Sequence, residues 1–476
     1  MKALRVQAGG PRLPKPSNAG VAKFAVFLLV VLFFMIVVLI VKVSSGAAPA
    51  IQIHGQLKGI GLSTPVTFEV SDANHRIKRV EVEILQNGKS FAAPFEGQPL
   101  TATMRPWWKF WASKPESRSI FTARVGGRQI PGLQPGRATL RIAAVNDSWG
   151  RFFRGGKREV VLDLPVRFAP PQVEVLTAQH YINLGGSDMV LFKVSAGTLE
   201  SGVQVGNYFF QSWPVKESLP ETRLCLFAFP YDVDAKTPAR IVARDDAGNE
   251  TVSSFTYQVF PKKFHADTIK VTDDYIARVV PPIMSQAPEL EDQGSPVKNF
   301  LLVNGRLRQI EAQQLVELSK KTAPHFLWSQ PFVQLGNSKV EASFADYRSY
   351  VYNGQTIDHQ THLGFDLAVS QHAPVVAAND GAVVLAGWFG IYGNAIILDH
   401  GCGLQTLYGH LSSIDVKAGD AVKRGQVIGR SGQTGLAGGD HLHFAVLLDG
   451  IPVSTIEWWD PHWIHDRIEA KLEPYR

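Results

Sequence analysis

The chain contains very little cysteine: only Cys225 and Cys402 occur among 476 residues. Two thiols this far apart cannot form the dense disulfide framework of a small secreted domain. We expect both to be unpaired and buried, because a lone cysteine usually behaves as a small apolar side chain. A nucleic-acid-binding motif is also missing, so the formal charge of +6 favours lipid headgroups or cell-wall polymer as the anionic neighbour.

Acidic residues are absent from the first 23 positions, which carry five Lys or Arg residues instead. An uninterrupted apolar run of 18 residues follows at 24–41 and is just long enough to cross the hydrocarbon core of a bilayer. The positive-inside rule then places the basic leader, 1–23, in the cytoplasm and the rest of the chain outside it. We predict a single-pass transmembrane helix. The alternative is a cleaved signal peptide, because the small residues SSGAAPA follow the run.

The middle of the chain has ordinary globular composition and is too long for one core, so several domains are expected. Short alternating stretches broken by Gly, Pro, Asn and Asp predict two immunoglobulin-like β-sandwich domains at 51–168 and 171–260. We assign them a spacing or docking role. A helical connector is predicted at 261–340, with helical spacing in 273–280 and 305–321. It either positions the last domain, covers its groove or simply packs against it.

A loop in the first sandwich, Arg105–Trp111, is rich in aromatic and cationic residues. This composition suits stacking on sugars or contact with a membrane interface. It also suits core packing or a contact between domains, which is the interpretation we favour.

Nine of the fourteen histidines lie between His359 and His465. In HLGFDLAV, His362 and Asp366 alternate with apolar residues, so a strand here carries both on one face. The same alternation in HLHFAV puts His441 and His443 on one face of a second strand. The crowding of these residue types indicates a metal site.

A third strand, LQTLYGHL, is predicted to present Thr406, Tyr408 and His410 on one face. A hydrolytic zinc site usually has three protein ligands and one open position for water. The three strands supply five candidate groups, four histidines and Asp366, which exceeds that number. Hydrolysis needs additional groups for proton transfer and for stabilising the oxyanion. The surplus favours a catalytic site over a structural one.

These residues and the text between them resemble the LytM/lysostaphin-type metallopeptidases, metallopeptidase family 23. The resemblance rests on HLGFD, on YGHLSS, on DHLHFAV and on the glycine turns between them, and it covers about 344–453. It implies that His362, Asp366 and His443 bind zinc, one ion per chain, and that His410 and His441 are the catalytic pair. The last domain, 341–476, is then expected to be antiparallel β, and the whole chain mostly β.

The resemblance also implies a substrate. We expect a zinc metalloendopeptidase, a hydrolase of the peptide cross-links of peptidoglycan, with D-alanyl-diaminopimelate links favoured over glycine-rich bridges. With the apolar run, this places the protein in the bacterial inner membrane and its folded domains in the periplasm or outside the cell. Envelope proteins are expected as partners of the β-sandwich domains.

Two alternatives stay open at this stage. Some relatives in this family have lost metal ligands and act as regulators of other wall hydrolases, although all five positions are present here. The segment AGDAVKRGQVIG also resembles biotinyl or lipoyl carrier domains, which leaves the histidines unexplained. One departure from the family pattern is Gly438-Gly439-Asp440 before His441, where a proline is common; it affects the loop and leaves the ligands intact.

Histidines outside these motifs are expected to be hydrogen-bonded or solvated. They are His359, His372, His400, His462 and His465. Tyr392 and Tyr408 either line the groove or pack in the core.

Overall fold

The computed structural model describes residues 18–44, 48–73, 75–97, 117–148 and 155–475. The chain separates into two compact units, one formed by 1–169 with 247–249 and the other by 170–246 with 250–476. Most of the predicted basic leader and the whole Arg105–Trp111 loop lie outside the described residues.

The predicted membrane segment is part of one helix, α1 (Asn18–Ser44). Its section Lys23–Val41 is long and apolar enough to cross a membrane. The apolar side chains of 24–41 are exposed, so this stretch needs an apolar environment from outside the described chain. An N-terminal apolar helix is therefore confirmed. Whether it is a retained anchor or a signal sequence stays a prediction.

The first unit contains two four-stranded antiparallel sheets, as predicted for a β-sandwich. Their orders are β1-β2-β6-β5 and β4-β3-β7-β8. The strands are β1 (Ala50–Ile53), β2 (Thr64–Asp72), β3 (Ile77–Gln86), β4 (Lys89–Ala92), β5 (Phe95–Gly97), β6 (Ser117–Val125), β7 (Gly136–Asn146) and β8 (Lys157–Val166). Alternate residues of these strands, including Phe68, Ile84 and Leu140, form one apolar core.

The second unit begins with another pair of four-stranded sheets, in the orders β14-β15-β11-β9 and β13-β12-β16-β17. A short parallel pair, β10 with β18, adds to them. The strands are β9 (Val173–Val175), β10 (Tyr181–Asn183), β11 (Ser187–Val194), β12 (Thr198–Val205), β13 (Tyr208–Gln211), β14 (Trp213–Pro214), β15 (Thr222–Ala228), β16 (Ala239–Asp245), β17 (Glu250–Ser253) and β18 (Gln258–Phe260). Both cysteines are buried and free, as expected.

A helical stretch follows, as predicted, but it is preceded by a strand, β19 (Ala266–Val271). The helices are α2 (Asp273–Met284), α3 (Pro296–Leu302) and α4 (Arg308–Ser319), with a π-helical turn, Val303–Leu307, between the last two. Thr272 caps α2 by accepting a hydrogen bond from the Tyr275 amide at 3.2 Å. The buried residues of α2 recur at helical spacing, so one face of this helix packs inward.

The C-terminal region is mostly antiparallel β, as predicted. Its main sheet has the order β20-β23-β31-β27-β26-β25-β29, with β32 paired to β31, and two three-stranded sheets flank it. The strands are β20 (Lys339–Ala342), β21 (Asp346–Tyr352), β22 (Gln355–His362), β23 (Phe365–Ala368), β24 (Pro374–Val376), β25 (Gly381–Trp388), β26 (Asn394–Gly401), β27 (Leu404–Leu411), β28 (Ser413–Ile414), β29 (Ala421–Val422), β30 (Val427–Arg430), β31 (Leu442–Leu448) and β32 (Ile451–Val453). Short helices close the chain: α5 (Thr455–Trp459), α6 (Pro461–Ile464), a π-helical turn (His465–Glu469), α7 (Ala470–Leu472) and a 3-10 turn (Glu473–Tyr475).

Buried polar contacts join the second sandwich to the C-terminal region inside the second unit. The Glu457 carboxylate accepts a hydrogen bond from the Ser187 amide at 2.8 Å, and the Asp449 carboxylate accepts one from the Gln211 amide at 2.7 Å. Lys471 Nζ lies 2.5 Å from Asp188 Oδ1. Because both parts also share one apolar core, they form one compact body.

Glu311, on α4, fixes the helical stretch to the C-terminal region. Its Oε1 accepts a hydrogen bond from the Ile391 amide at 2.9 Å, in a 3-10 turn formed by Gly390–Tyr392. A side chain at Gly390 would collide with that carboxylate, and its φ of 46° is one that glycine adopts readily. Burial raises the pKa of Glu311 to about 8.

Replacing Glu311 with glutamine should therefore stabilise the protein more at pH 8 than at pH 5. A carboxyl whose folded pKa is raised from 4.5 to about 8 lowers stability progressively as pH rises through that window, and an amide does not titrate. We expect the difference in melting temperature between Glu311→Gln and wild type to increase by a few degrees between pH 5 and pH 8, since each kcal/mol corresponds to about 2–4 °C. Glu317→Gln, an exposed change on the same helix, is the control, and an equal response of both variants would contradict the assignment.

Candidate metal centre

Three side chains converge on one point beside the main sheet. His362 Nε2, Asp366 Oδ1 and His443 Nδ1 form a triangle with sides of 2.9, 3.0 and 3.1 Å. All three residues are buried, and their ligand atoms lie within 4.8 Å of one another. The structure thus brings together the three residues for which the sequence predicts zinc ligation.

The chain path to this point differs from the single strand expected for HLGFDLAV. His362 is the last residue of β22, Asp366 belongs to β23, and the two strands lie in different sheets. The break occurs at Leu363-Gly364, where a Cβ on Gly364 would come within 2.6 Å of the His443 ring. The expectation of one continuous strand was wrong because the chain must turn here to bring both side chains to His443.

The hydrogen bonds of His362 leave one ring nitrogen available as a ligand. His362 Nδ1 lies 3.0 Å from the Ser343 carbonyl oxygen, which can only accept, so Nδ1 carries the proton. His362 Nε2 is then the unprotonated nitrogen, and it points at Asp366 and His443. A backbone partner of this kind is the usual means of orienting a metal-binding histidine.

Asp366 is held from its other oxygen. Arg348 Nη2, on β21, donates to Asp366 Oδ2 at 2.8 Å, so Oδ1 remains facing the two histidines. Arg348 was not among the site residues predicted from the sequence. In the sequence, Arg348 is the single cation of the tyrosine-rich segment DYRSYVY. That pattern does not indicate which residue it contacts.

The donor set fits a tetrahedral divalent ion such as zinc. Ligand atoms about 2.0–2.1 Å from such an ion are separated by roughly 3.3 Å, close to the sides of this triangle. His443 presents Nδ1 to the same point, and its buried Nε2 has no hydrogen-bond partner in the described structure. Two imidazoles and one carboxylate supply three ligands and leave a fourth position open. His362, Asp366 and His443 are therefore a metal-binding triad.

His410 and His441 lie beside the triad with their rings 4.8 Å apart. His410 Nδ1 donates to the Thr434 carbonyl at 2.8 Å, and His441 Nδ1 donates to the Gly439 carbonyl at 2.9 Å. In both rings Nε2 is then the nitrogen free to accept or deliver a proton. His441 Nε2 lies 3.4 Å from Asp366 Oδ1, and the His410 ring is 5.8 Å from the His443 ring.

The predicted shared face of Thr406, Tyr408 and His410 is wrong in part. Tyr408 is buried in the core, where its hydroxyl oxygen accepts hydrogen bonds from the Ala378 amide at 2.8 Å and from Thr406 Oγ1 at 3.0 Å. His410 has a positive φ of 63°, which interrupts the alternation of β27. The interruption is the reason that His410 lines the metal-site cavity while Thr406 and Tyr408 do not.

Burial and neighbouring charges both shift the pKa values of these side chains. Burial favours a raised pKa for Asp366, but the surrounding histidines outweigh it and hold that pKa well below the usual value. Burial and the neighbouring histidines lower the pKa of His410. Burial also acts to lower the pKa of His441, yet its contact with Asp366 raises it overall. The Asp366 carboxylate is thus the central negative charge of the site.

Helix α2 supports the loop that carries His441. Arg278 Nη2 donates to the carbonyl oxygens of Ala437 and Gly438 at 3.2 and 3.1 Å. This loop contains the Gly438-Gly439 departure noted in the sequence, and the Gly439 carbonyl accepts the His441 proton. The helical stretch therefore braces one wall of the site.

Two cavities meet at the triad. The first has a volume of about 730 Å³ and includes all five predicted site residues together with side chains from β19 and α2. The second has a volume of about 560 Å³ and lies between α4, the C-terminal region and the Tyr208 and Tyr231 side chains of the second sandwich. Tyr392, whose ring lies 5.4 Å from that of His443, lines both. An extended ligand can therefore reach the triad from two sides.

The remaining histidines of the region lie outside the triad. His400 is buried, with Nδ1 2.7 Å from the Asp380 carbonyl, and burial lowers its pKa to about 4. The ring of His359 stacks on Tyr347 at 5.3 Å. His372, His462 and His465 have exposed side chains. The five occupy hydrogen-bonded or solvated positions.

Comparison with known families decides what kind of site this is. Residues 360–455 match the model of peptidase family M23. The C-terminal domain belongs to peptidase family M23. The match includes the whole triad, His410 and His441, and it takes in the AGDAVKRGQVIG segment as part of the peptidase domain. The chain thus carries an M23 metallopeptidase domain with an intact His-Asp-His metal site.

Several characterised proteins are similar to this domain. The DD-carboxypeptidase/endopeptidase Mpg of Neisseria meningitidis is 42% identical over 95 residues, which is 20% of this chain and 22% of that protein. The peptidoglycan DD-endopeptidase ShyA of Vibrio cholerae is 42% identical over 96 residues, again 20% and 22% of the two chains. The glycyl-glycine endopeptidase ALE-1 of Staphylococcus capitis is 40% identical over 103 residues, 21% of this chain and 28% of that protein. The chain thus spans less than a third of each of these relatives.

Proposed function

We propose that this protein is a zinc metalloendopeptidase that hydrolyses peptide cross-links of peptidoglycan. The observation that carries the proposal is the arrangement of three ligand atoms 2.9–3.1 Å apart with two further histidines beside them. A structural zinc site fills all four positions with protein ligands, whereas this set has three and adds groups suited to proton transfer. Relatives named as peptidoglycan and glycyl-glycine endopeptidases support the choice of substrate class.

His362, Asp366 and His443 would hold the zinc ion. When bound, zinc lowers the pKa of a coordinated water toward neutrality and polarises a carbonyl oxygen. The protein contributes the orientation of the ligands: the Ser343 carbonyl fixes the His362 ring, and Arg348 fixes the Asp366 carboxylate. Such partners keep the ligand atoms in place before substrate arrives.

His410 and His441 are proposed as the catalytic pair. Each ring has its Nδ1 proton committed to a backbone carbonyl, so proton transfer at either ring takes place at Nε2. Amide hydrolysis requires one proton to leave the attacking water and one to reach the departing nitrogen. Two imidazoles on the same side of the triad are sufficient for both transfers and for a hydrogen bond to the developing oxyanion.

We further propose that α1 is a retained anchor in the inner membrane, which leaves the catalytic domain in the periplasm. Its support is the exposed apolar section Lys23–Val41 and the basic leader before it. The mass of the protein isolated from membranes tests this. An intact N-terminus supports the anchor, and a chain that starts within or just after SSGAAPA contradicts it.

The proposed activity is tested by digestion of peptidoglycan with the full-length protein in detergent. We expect cross-linked muropeptides to be converted to monomers, with new amine and carboxyl ends at the cross-link when the products are identified by mass. Zinc content near one ion per chain is expected in the same preparation. Bound zinc without any cleavage would contradict the enzyme and favour the regulator alternative.

A further inference from the structure

One arginine lies where the two cavities meet. Among the described residues, only five line both cavities: Arg308, His362, Ile391, Tyr392 and His443. Two of these are metal ligands, and Arg308 is the one permanently charged side chain in the set. A ligand that passes the triad through both cavities must therefore pass Arg308.

A buried amide fixes the orientation of Arg308. Arg308 Nε donates to Asn304 Oδ1 at 3.1 Å, and Asn304 Nδ2 donates to Asp358 Oδ2 at 2.8 Å. Asn304 is 0% exposed and lies in the π-helical turn Val303–Leu307. Turns of this type occur frequently at functional sites, and a planar guanidinium held at one nitrogen loses less entropy on binding a ligand.

The outer nitrogens of Arg308 have no partner in the described part of the chain. The two other arginines of the first cavity are occupied, since Arg348 contacts Asp366 and Arg278 contacts backbone carbonyls. Glu311, one turn after Arg308, does not form an ion pair with it. Burial raises the pKa of Glu311 to about 8, so that carboxyl is mostly neutral at pH 7. Arg308 thus lines both cavities with its outer nitrogens available to a ligand.

The two cross-link chemistries differ in what they offer such a cation. In a D-alanyl-diaminopimelate link, the carbon bonded to the scissile amide nitrogen also carries a free carboxylate. A glycine bridge has no charged group beside its amide bonds. A guanidinium with two free nitrogens matches a carboxylate in a planar, two-point hydrogen bond.

We propose that Arg308 is a specificity-determining residue that binds the carboxylate next to the scissile amide, which makes the diaminopimelate cross-link the preferred substrate. The proposal rests on the endopeptidase function proposed above. Removing one side of a charge-assisted hydrogen-bond pair typically lowers kcat/KM by about tenfold to a hundredfold.

The test compares three synthetic D-alanyl-diaminopimelate cross-linked peptides with the full-length protein. The first has free carboxylates, the second has a carboxamide in place of the carboxylate next to the scissile bond, and the third has a carboxamide only at the end of the stem. Wild type should cleave the first and third about tenfold to a hundredfold faster than the second. Arg308→Gln should cleave all three peptides at similar rates. The substitution slows cleavage only of the first and third peptides, because only these carry the carboxylate next to the scissile bond.

The matched control is Arg306→Gln, which removes an exposed charge from the same helical stretch and should retain the preference. Three results would overturn the proposal. The first is an equal loss of cleavage rate on all three peptides in Arg308→Gln. The second is an unchanged preference of that variant for the carboxylate next to the scissile bond. The third is a wild-type preference that follows the carboxylate at the end of the stem instead.

A binding measurement separates this proposal from the endopeptidase function. If wild type cleaves neither peptidoglycan nor any peptide, the proposed function fails. Calorimetric titration with the diaminopimelate product peptide and its carboxamide still tests Arg308 in that case. We expect wild type and Arg306→Gln to bind the acid peptide more tightly than the carboxamide, and Arg308→Gln to bind both equally. Equal binding of the two peptides by wild type would overturn the assignment.

Discussion

Replacing His443 with alanine is expected to reduce bound metal from about one ion per chain to background and to lower cross-link cleavage by about a thousandfold or more. The variant removes one corner of a triangle whose sides are 2.9–3.1 Å, and the two ligands that remain cannot define a tetrahedral site. His362→Ala should behave in the same way. Metal content of the purified protein and release of monomeric muropeptides are the two measurements.

The control for the metal-site variants is His462→Ala, because that side chain is 97% exposed and lies outside the triad. It should retain both metal and activity. A chelator should inactivate wild type, and added zinc should restore the rate. His443→Ala with a full complement of metal and normal cleavage would contradict the assignment of the triad.

The residues of the metal site could be predicted from the sequence more reliably than the backbone that carries them. The motif spacing identified His362 and Asp366 as partners, yet the reason offered, a shared strand face, was wrong. These residues occupy β22 and β23 in separate sheets, and the turn at Gly364 brings them together. The family motif carries this three-dimensional information, whereas a period-2 pattern describes only a regular strand.

A second failure of the same pattern has a local cause. Alternation along β27 predicts that Tyr408 and His410 face the same side, but His410 has a φ of 63°. The sequence LQTLYGHL does not indicate that His410 adopts a positive φ, because that conformation would ordinarily be expected at Gly409. Backbone irregularities at functional sites are determined by the surrounding structure and cannot be read from single-sequence periodicity.

Residues that support the site were missed because they come from distant parts of the chain. Arg348 contacts Asp366 from β21, Arg278 contacts the Gly438 loop from α2, and Arg308 reaches both cavities from α4. Each is an ordinary surface cation by composition. Only the packing of the second unit brings these three side chains to the metal site. The mostly β fold and the helical stretch itself were predictable, because periodicity and turn residues are local signals.

Replacing His410 or His441 with alanine should leave the metal in place and still lower cleavage by about a hundredfold to ten-thousandfold. Neither ring belongs to the triangle of ligand atoms, but both lie beside it with Nε2 available for proton transfer. Metal content separates these variants from His443→Ala. The His410→Ala/His441→Ala double variant should be little slower than the poorer single variant, because groups that act on one transition state are not additive.

His410→Asn separates catalysis from a structural role. Asparagine can still donate a hydrogen bond to the Thr434 carbonyl, which His410 Nδ1 contacts at 2.8 Å, but it has no group in the place of Nε2. If the ring acts in proton transfer, His410→Asn should be as slow as His410→Ala while melting closer to wild type. A His410→Asn variant with near wild-type cleavage would mean that the ring only holds the Thr434 loop, and proton transfer would then depend on His441.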